Sequence, residues 1–189
     1  MWREELSRLG ASRAGIEKGE RFIKELERWN RVHKLTNYRG EEIGEQILDS
    51  VYPFLKWELY PQKVVDIGTG AGFPGLVVSF FLPKTHFFLL EPIKKRASFL
   101  FYIKTLLKLS NVEVVPKRVE EFTTDGVELI TSRAVADWDT LLSISRHLVG
   151  EETRYLLYRG SPPPLLPFPT QLLIREKRSY LLFSPTQGG

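Results

Sequence analysis

The sequence predicts an α/β fold: a mostly parallel sheet of seven strands with helices on both faces, an antiparallel C-terminal hairpin and a set of N-terminal helices. Three observations predict it. Short β-branched runs alternate with helical stretches from Lys63 to Tyr158, a glycine-rich turn follows the first of those runs, and the chain before Lys63 carries helical periodicity instead.

Arg13 to Arg31 reads as an amphipathic helix, because Ile16, Phe22, Ile23, Leu26 and Trp29 recur at helical spacing among charges. Glu41 to Val51 makes a second, with Ile43, Ile47, Leu48 and Val51 on one face, and Pro53 and Pro61 bracket a connector. Lys63 to Ile67 (KVVDI) is a buried strand that stops at glycines. A helix from about Gly72 to Phe81 ends before Pro83, since proline cannot continue it. His86 to Leu90 (HFFLL) is the next strand, Ile93 to Leu109 a full helix, Val112 to Val115 a third strand and Val127 to Thr131 a fourth. Trp138 to Leu148 is a helix and Arg154 to Tyr158 the fifth strand. The proline-rich Ser161 to Pro169 (SPPPLLPFP) must be an extended loop, after which Gln171 to Arg175 and Tyr180 to Phe183 close the sheet as a hairpin.

With 189 residues, 42% of them hydrophobic, one well-buried domain is expected, residues 1–60 forming a helical extension of a core at 61–189. The longest apolar stretches are far shorter than the roughly 20 residues that span a bilayer. The opening MWREELSRLGASRAG lacks the apolar segment of a secretion signal, so a cytoplasmic location is expected. Zero cysteines exclude disulfides and thiolate chemistry, and His33, His86 and His147 show no ligand spacing, so no metal is expected. The net charge of +4 says little, but its distribution says more. Lys94 to Arg118 holds seven basic residues and the single acid Glu113, and residues 1–39 hold ten basic and six acidic. Those two basic regions suit phosphate contacts.

The chemistry concentrates in Asp66-Ile67-Gly68-Thr69-Gly70-Ala71-Gly72-Phe73-Pro74-Gly75, a turn between a strand and a helix. Glycines there let backbone approach a ligand closely. No Gly-Lys-Ser/Thr follows, which argues against a P-loop triphosphatase. Gly70 to Gly75 fits the dinucleotide pattern, yet Asp66 places a carboxylate beside the loop, where a pyrophosphate is repelled and a cationic amino group is welcomed. S-adenosylmethionine is therefore favoured over NAD, and the core becomes a Rossmann-like class I methyltransferase. Glu91, ending the second strand, is placed to accept hydrogen bonds from ribose hydroxyls. Val119 and Glu120 fall where an adenine ring would lie, and Arg133, in Ser132-Arg133-Ala134 after the fourth strand, is placed to orient the base or the cofactor. Phe73 and Trp138 are candidates for the wall of a base pocket.

These strings together resemble one family. DIGTGAGFPG, LLEPIKKRASFL, KRVEEF and ITSRAVADWDTLL, with RWNRVHKLTN and QILDSV before them, are similar in order and spacing to the RsmG (glucose-inhibited division protein B) pattern over most of the chain. The resemblance implies methylation of guanosine N7 in the decoding-region 530 loop of 16S rRNA, with the rRNA, the small ribosomal subunit or an assembly intermediate as substrate; a monomer is expected. It implies cofactor contacts at Gly68, Phe73, Val119, Glu120 and Arg133, beside Asp66, Gly70, Gly72 and Glu91 read from the residues themselves. RNA contacts are expected from Lys94, Lys95, Arg96, Arg28, Arg31 and Lys34. The chain departs from the pattern at Lys34, where the family has asparagine, at Gln46, where histidine is common, and at Arg159-Gly160, where lysine-glycine is typical. Residue physics alone leaves open a nicotinamide-dependent oxidoreductase using the same glycines, or a non-catalytic RNA-binding module.

Overall fold

A computed structural model describes residues 1–133, 137–160 and 162–186, so Ala134 and Ser161 lie outside the described residues. The sheet has seven strands: β1 (Lys63–Ile67), β2 (His86–Leu90), β3 (Val112–Val115), β4 (Leu129–Arg133), β5 (Arg154–Gly160), β6 (Thr170–Arg175) and β7 (Arg178–Phe183). Their order is β3-β2-β1-β4-β5-β7-β6, with β1 to β5 parallel and β7 antiparallel to both neighbours. β1 is the middle strand of the five parallel ones and pairs on its two sides with β2 and β4, so the chain leaves the carboxyl ends of β1 and β4 in a crevice where the strand order reverses.

Helices cover the two faces unequally. Strand alternation puts Val64, Phe87, Leu89, Val114, Leu129 and Leu156 on one face, packed against α1 (Trp2–Arg8), α2 (Arg13–His33), α3 (Glu41–Lys56), α4 (Gly75–Ser79) and α5 (Lys94–Leu106). Val65, Ile67, Ile130, Tyr155, Leu157 and Phe183 form the other, covered by α6 (Trp138–Ser145) and 3-10 turns at Val119–Glu121 and Arg146–Leu148.

The N-terminal helices are built onto the first face. Ser12 caps α2, its side chain accepting from Gly15 N–H at 3.1 Å, and Lys34 closes that helix in the left-handed conformation. α1 was not foreseen; it lays fully buried Trp2 against Gly19 of α2 and Gly44 of α3, positions where a Cβ would meet the indole. Pro53 does not open a connector: it lies buried inside α3, which continues to Lys56. α4 is shorter than the sequence suggests, because Gly72 to Pro74 belong to the glycine turn. β4 runs two residues further than expected, carrying Ser132 and Arg133 inside the strand. Residues 162–169 form neither helix nor strand. Among the described residues no helix is long and apolar enough to cross a membrane, and no His/Cys/Asp/Glu group is built to hold a metal ion.

Candidate functional site

The glycine turn is held by hydrogen bonds from its backbone N–H groups, some within the turn and some to the end of β2. Gly68 and Thr69 N–H both donate to Leu90 O, at 2.9 and 3.2 Å, and Gly72 and Phe73 N–H both donate to Thr69 O at 2.9 Å. Gly70 N–H donates to Glu91 Oε2 at 2.9 Å and Gly75 N–H to Asp66 Oδ2 at 2.8 Å. Gly68, Gly70 and Gly72 all have positive φ, which is why the turn needs glycine. A Cβ on Gly70 would meet no atom within 4 Å, so that residue is glycine for its conformation and its open face, not for packing.

Asp66 is placed differently from its expected role. It is fully buried on the α4 side of β1, with Oδ1 accepting from the Thr131 hydroxyl at 2.8 Å and Oδ2 from Gly75 N–H. It does not line the cleft, and burial raises its carboxyl above the usual range against the pull of those hydrogen bonds. The expected direct contact with a cationic amino group is corrected: Asp66 ties the turn to the sheet. Gly72 is likewise behind the surface, packed on Leu76, and absent from the cleft lining.

The cleft itself, of about 490 Å³, opens at the crevice and is lined by Gly68, Gly70, Phe73, Glu91, Val119, Glu120 and Arg133 among others. Glu91 is buried, with Oε2 on Gly70 N–H and Oε1 on Ile93 N–H at 3.0 Å, so one carboxylate fixes both the turn and the start of α5. Each oxygen keeps a second lone pair for a ligand hydroxyl. Val119 heads the 3-10 turn opposite, whose carbonyls are pinned from behind: His147 Nε2 lies 3.1 Å from Val119 O and 2.8 Å from Phe122 O. Both partners only accept, so Nε2 carries the proton.

Arg133 forms the far wall. Its guanidinium sits over the Phe73 ring at 4.9 Å and near that of Tyr38 at 6.0 Å, and Nη1 donates to Gln46 Oε1 at 2.9 Å. Burial lowers its pKa, with Tyr38 and Asp49 opposing. The departure at position 46 thus has a structural meaning: Gln46 is buried and holds Arg133.

Three lining residues, Leu35, Thr36 and Tyr38, come from the link between α2 and α3, which sequence periodicity left blank. Asn30 shapes that link: its Nδ2 donates to Thr36 O at 2.7 Å and its Oδ1 accepts from Thr36 N–H at 3.0 Å. The string RWNRVHKLTN, noticed only for its resemblance, spans this bond.

The basic candidates divide. Arg96 borders the cleft and also a smaller adjoining cavity lined by Lys34, Thr36, Asn37 and Tyr38, and exposed Lys117 and Arg118, counted in the basic run but not singled out, border the cleft from the other side. Lys94 and Lys95 are exposed at the start of α5. Arg28 and Arg31 are exposed late in α2 and do not line the cleft, and Arg28 pairs with Glu25 at 3.8 Å. Trp138 also lies away from it, edge-on to Phe168 on the other face of the sheet.

The family model described as rRNA small subunit methyltransferase G matches residues 15–164. A ribosomal RNA small subunit methyltransferase G from Wolinella succinogenes is 47% identical over 146 residues, 77% of this chain and 75% of that one. The protein of the same name from Escherichia coli O1:K1 / APEC is 37% identical over 75% of this chain and 69% of its own. Among solved structures, a mutant of MtNAS in complex with S-adenosylmethionine is similar with a TM-score of 0.63 at 15% identity, over 97% of this chain and 76% of that one. A ribosomal protein methylase from Lactobacillus delbrueckii subsp. bulgaricus reaches 0.55 at 10%, over 75% and 78%. These two likenesses show the fold.

Proposed function

Because this chain belongs to the rRNA small subunit methyltransferase G family, we propose that it transfers the methyl group of S-adenosylmethionine to N7 of a guanosine in the 530 loop of 16S rRNA. The observation that carries the reading is one cleft at the strand-order reversal, in which the Glu91 carboxylate, the open face of Gly70, the apolar wall of Val119 and the Arg133 cation converge.

The donor set fits the cofactor. Glu91 has lone pairs for ribose hydroxyls, Val119 and the backbone around Glu120 suit a purine, and Arg133 suits a carboxylate. The same set fits a dinucleotide poorly. The N–H groups of Gly68, Thr69, Gly70, Gly72, Phe73 and Gly75, which a pyrophosphate needs free, are already engaged.

When bound, the cofactor supplies a methyl group on a positively charged sulfur. Guanine N7 carries a lone pair at neutral pH, so the chain need not remove a proton. Its task is alignment, which can lower a barrier by about 7–11 kcal/mol. The rigid turn and Glu91 fix one reactant, and Phe73 with Arg133 closes the wall beside it. In an A-form helix the N7 edge faces a groove too narrow for side chains, which favours a guanosine in a loop. Lys34, Arg96, Lys117 and Arg118 around the opening and Lys94 and Lys95 at the start of α5 supply phosphate contacts, with Arg28 and Arg31 as outlying ones.

The helices before residue 61 and the sheet act as one unit, since Trp2, Phe22 and Ile47 share a core with Val64 and Phe87. The chain is proposed to act as a monomer, in the cytoplasm where its RNA is found. The test is incorporation of labelled methyl from S-adenosylmethionine into small-subunit rRNA, with the modified nucleotide mapped by mass spectrometry. Incorporation at guanosine N7 is expected; tight NADH binding without S-adenosylhomocysteine binding would refute the assignment.

A further inference from the structure

We infer that Gln46 is a positioning residue for the cofactor: from behind the cleft it aims the Arg133 guanidinium at the carboxylate end of the methyl donor. The inference rests on the cofactor reading above and adds a residue that touches neither reactant.

Gln46 is buried on α3 and does not line the cleft. Its Oε1 accepts from Arg133 Nη1 at 2.9 Å and from Arg178 Nη2 at 3.4 Å. Asp49, one helical turn on, is buried too: Oδ1 takes the Tyr180 hydroxyl at 2.7 Å and lies 3.7 Å from Arg178 Nε, while Oδ2 is 3.8 Å from Arg133 Nη1 with no hydrogen bond of its own. Two guanidinium groups therefore share one carboxylate and one amide oxygen. Arg133 stands closest to hydrogen bonding with the neutral partner, not the charged one.

Asp49 is thus divided between two guanidinium groups, and a buried charge without full compensation is costly. An anionic ligand group beside Arg133 would complete the balance. Among the described residues only Nη1 of Arg133 donates a hydrogen bond to protein, which leaves Nε and Nη2 for a planar two-oxygen acceptor. The Phe73 ring, 4.9 Å from the guanidinium carbon, and the bond to Gln46 hold the group at two points. Of the other cations at the cleft, Lys117 and Arg118 are exposed and suit screened phosphate contacts, and Arg96 also borders the adjoining cavity beside Lys34, so the enclosed carboxylate falls to Arg133.

The experiment compares two ligands on the full chain. S-adenosylhomocysteine carries the carboxylate; 5′-methylthioadenosine has the same adenosine and sulfur without it. Gln46→Met keeps the volume and removes the acceptor, and Gln46→Leu is the second variant should the first fold poorly. Calorimetric titration should show Gln46→Met losing about tenfold in affinity for S-adenosylhomocysteine, as expected for one hydrogen bond to a charged group, and less than about twofold for 5′-methylthioadenosine. Unchanged S-adenosylhomocysteine binding, or equal losses for both ligands, would overturn the positioning role. A wild-type chain that binds neither ligand would overturn the cofactor reading itself.

Discussion

Gly75, the first residue of α4, donates its N–H to Oδ2 of Asp66 on β1 at 2.8 Å, so the helix is bonded to the strand that the chain has just left. The eight intervening residues form a closed loop whose open side is the cleft. Because the Thr131 hydroxyl takes the other oxygen, the same carboxylate also joins β1 to β4, the two strands that flank the crevice.

Asp66→Ala leaves a buried N–H and a buried hydroxyl unpaired, and should cost about 1–3 kcal/mol in urea unfolding. The pH dependence has a definite sign. Burial raises the folded pKa of Asp66 above its ordinary 3.8, so the native state binds the proton more tightly than the unfolded one. Its contribution is thus fully present below the ordinary value and is lost as pH rises through the folded one. The stability of wild type relative to Asp66→Asn should therefore grow as pH falls from neutral through that window. A difference independent of pH, or one that shrinks on acidification, would contradict the placement.

The glycines of the turn separate packing from binding. Gly75→Ala puts a Cβ 2.6 Å from both Asp66 Oδ2 and Leu89 Cδ2, and should destabilise the fold by about 1–3 kcal/mol through overpacking, seen as a lower melting temperature. Gly70→Asn adopts the left-handed conformation that position requires, at a φ of 60°, and meets no protein atom near its Cβ. It should fold almost as wild type yet lose most S-adenosylhomocysteine binding, because its side chain enters the cleft. Intact binding by Gly70→Asn would argue that no ligand lies against this face.

Much of this arrangement was legible in the sequence. KVVDI, HFFLL and the glycine string announce the strands, the turn and the crevice through period and residue type. The role of Asp66 was not, although alternation along β1 holds the clue: Val65 and Ile67 share one face, so Asp66 shares the other with Val64, under α4. Arg133 was found by its place after a strand, but its partners Gln46 and Asp49 lie over 80 residues away, beyond the reach of any local pattern. Tyr38 and Thr36 sit in a link without periodicity, where only tertiary contacts decide which side chain faces the ligand. α1 escaped notice because seven residues make a weak pattern, and what holds it is Trp2 in the groove made by two distant glycines.

Glu91→Gln probes the other anchor. A glutamine amide can accept from Gly70 N–H or from Ile93 N–H, but its NH₂ group must then face the remaining donor. The apo protein should lose about 1–3 kcal/mol in stability. Ligand stabilisation follows the ratio of concentration to Kd, so the rise in melting temperature on adding S-adenosylhomocysteine should also shrink. A full wild-type rise in a destabilised variant would mean that Glu91 serves the turn alone and leaves the ribose to other groups.

The basic rim makes a prediction about salt. Each phosphate neutralised on a single strand contributes about 0.7 to the slope of log affinity against log salt concentration, so removing a contact flattens the line as well as lowering it. Arg96 borders both the cleft and the adjoining cavity beside Lys34, and Lys117 borders the cleft from the opposite side. Arg96→Ala and Lys117→Ala should each weaken binding of small-subunit rRNA and reduce the slope by about 0.7, and the double variant should reduce it by about twice that if the two contact different phosphates. S-adenosylhomocysteine affinity should change little for Lys117→Ala, whose exposed ammonium is well screened. Arg28→Ala should alter the slope less than either, because that guanidinium already pairs with Glu25 and stands away from the opening. An Arg28 effect equal to that of Arg96 would move the RNA path off the cleft rim and onto α2, and the target guanosine would then have to reach the cleft from that side.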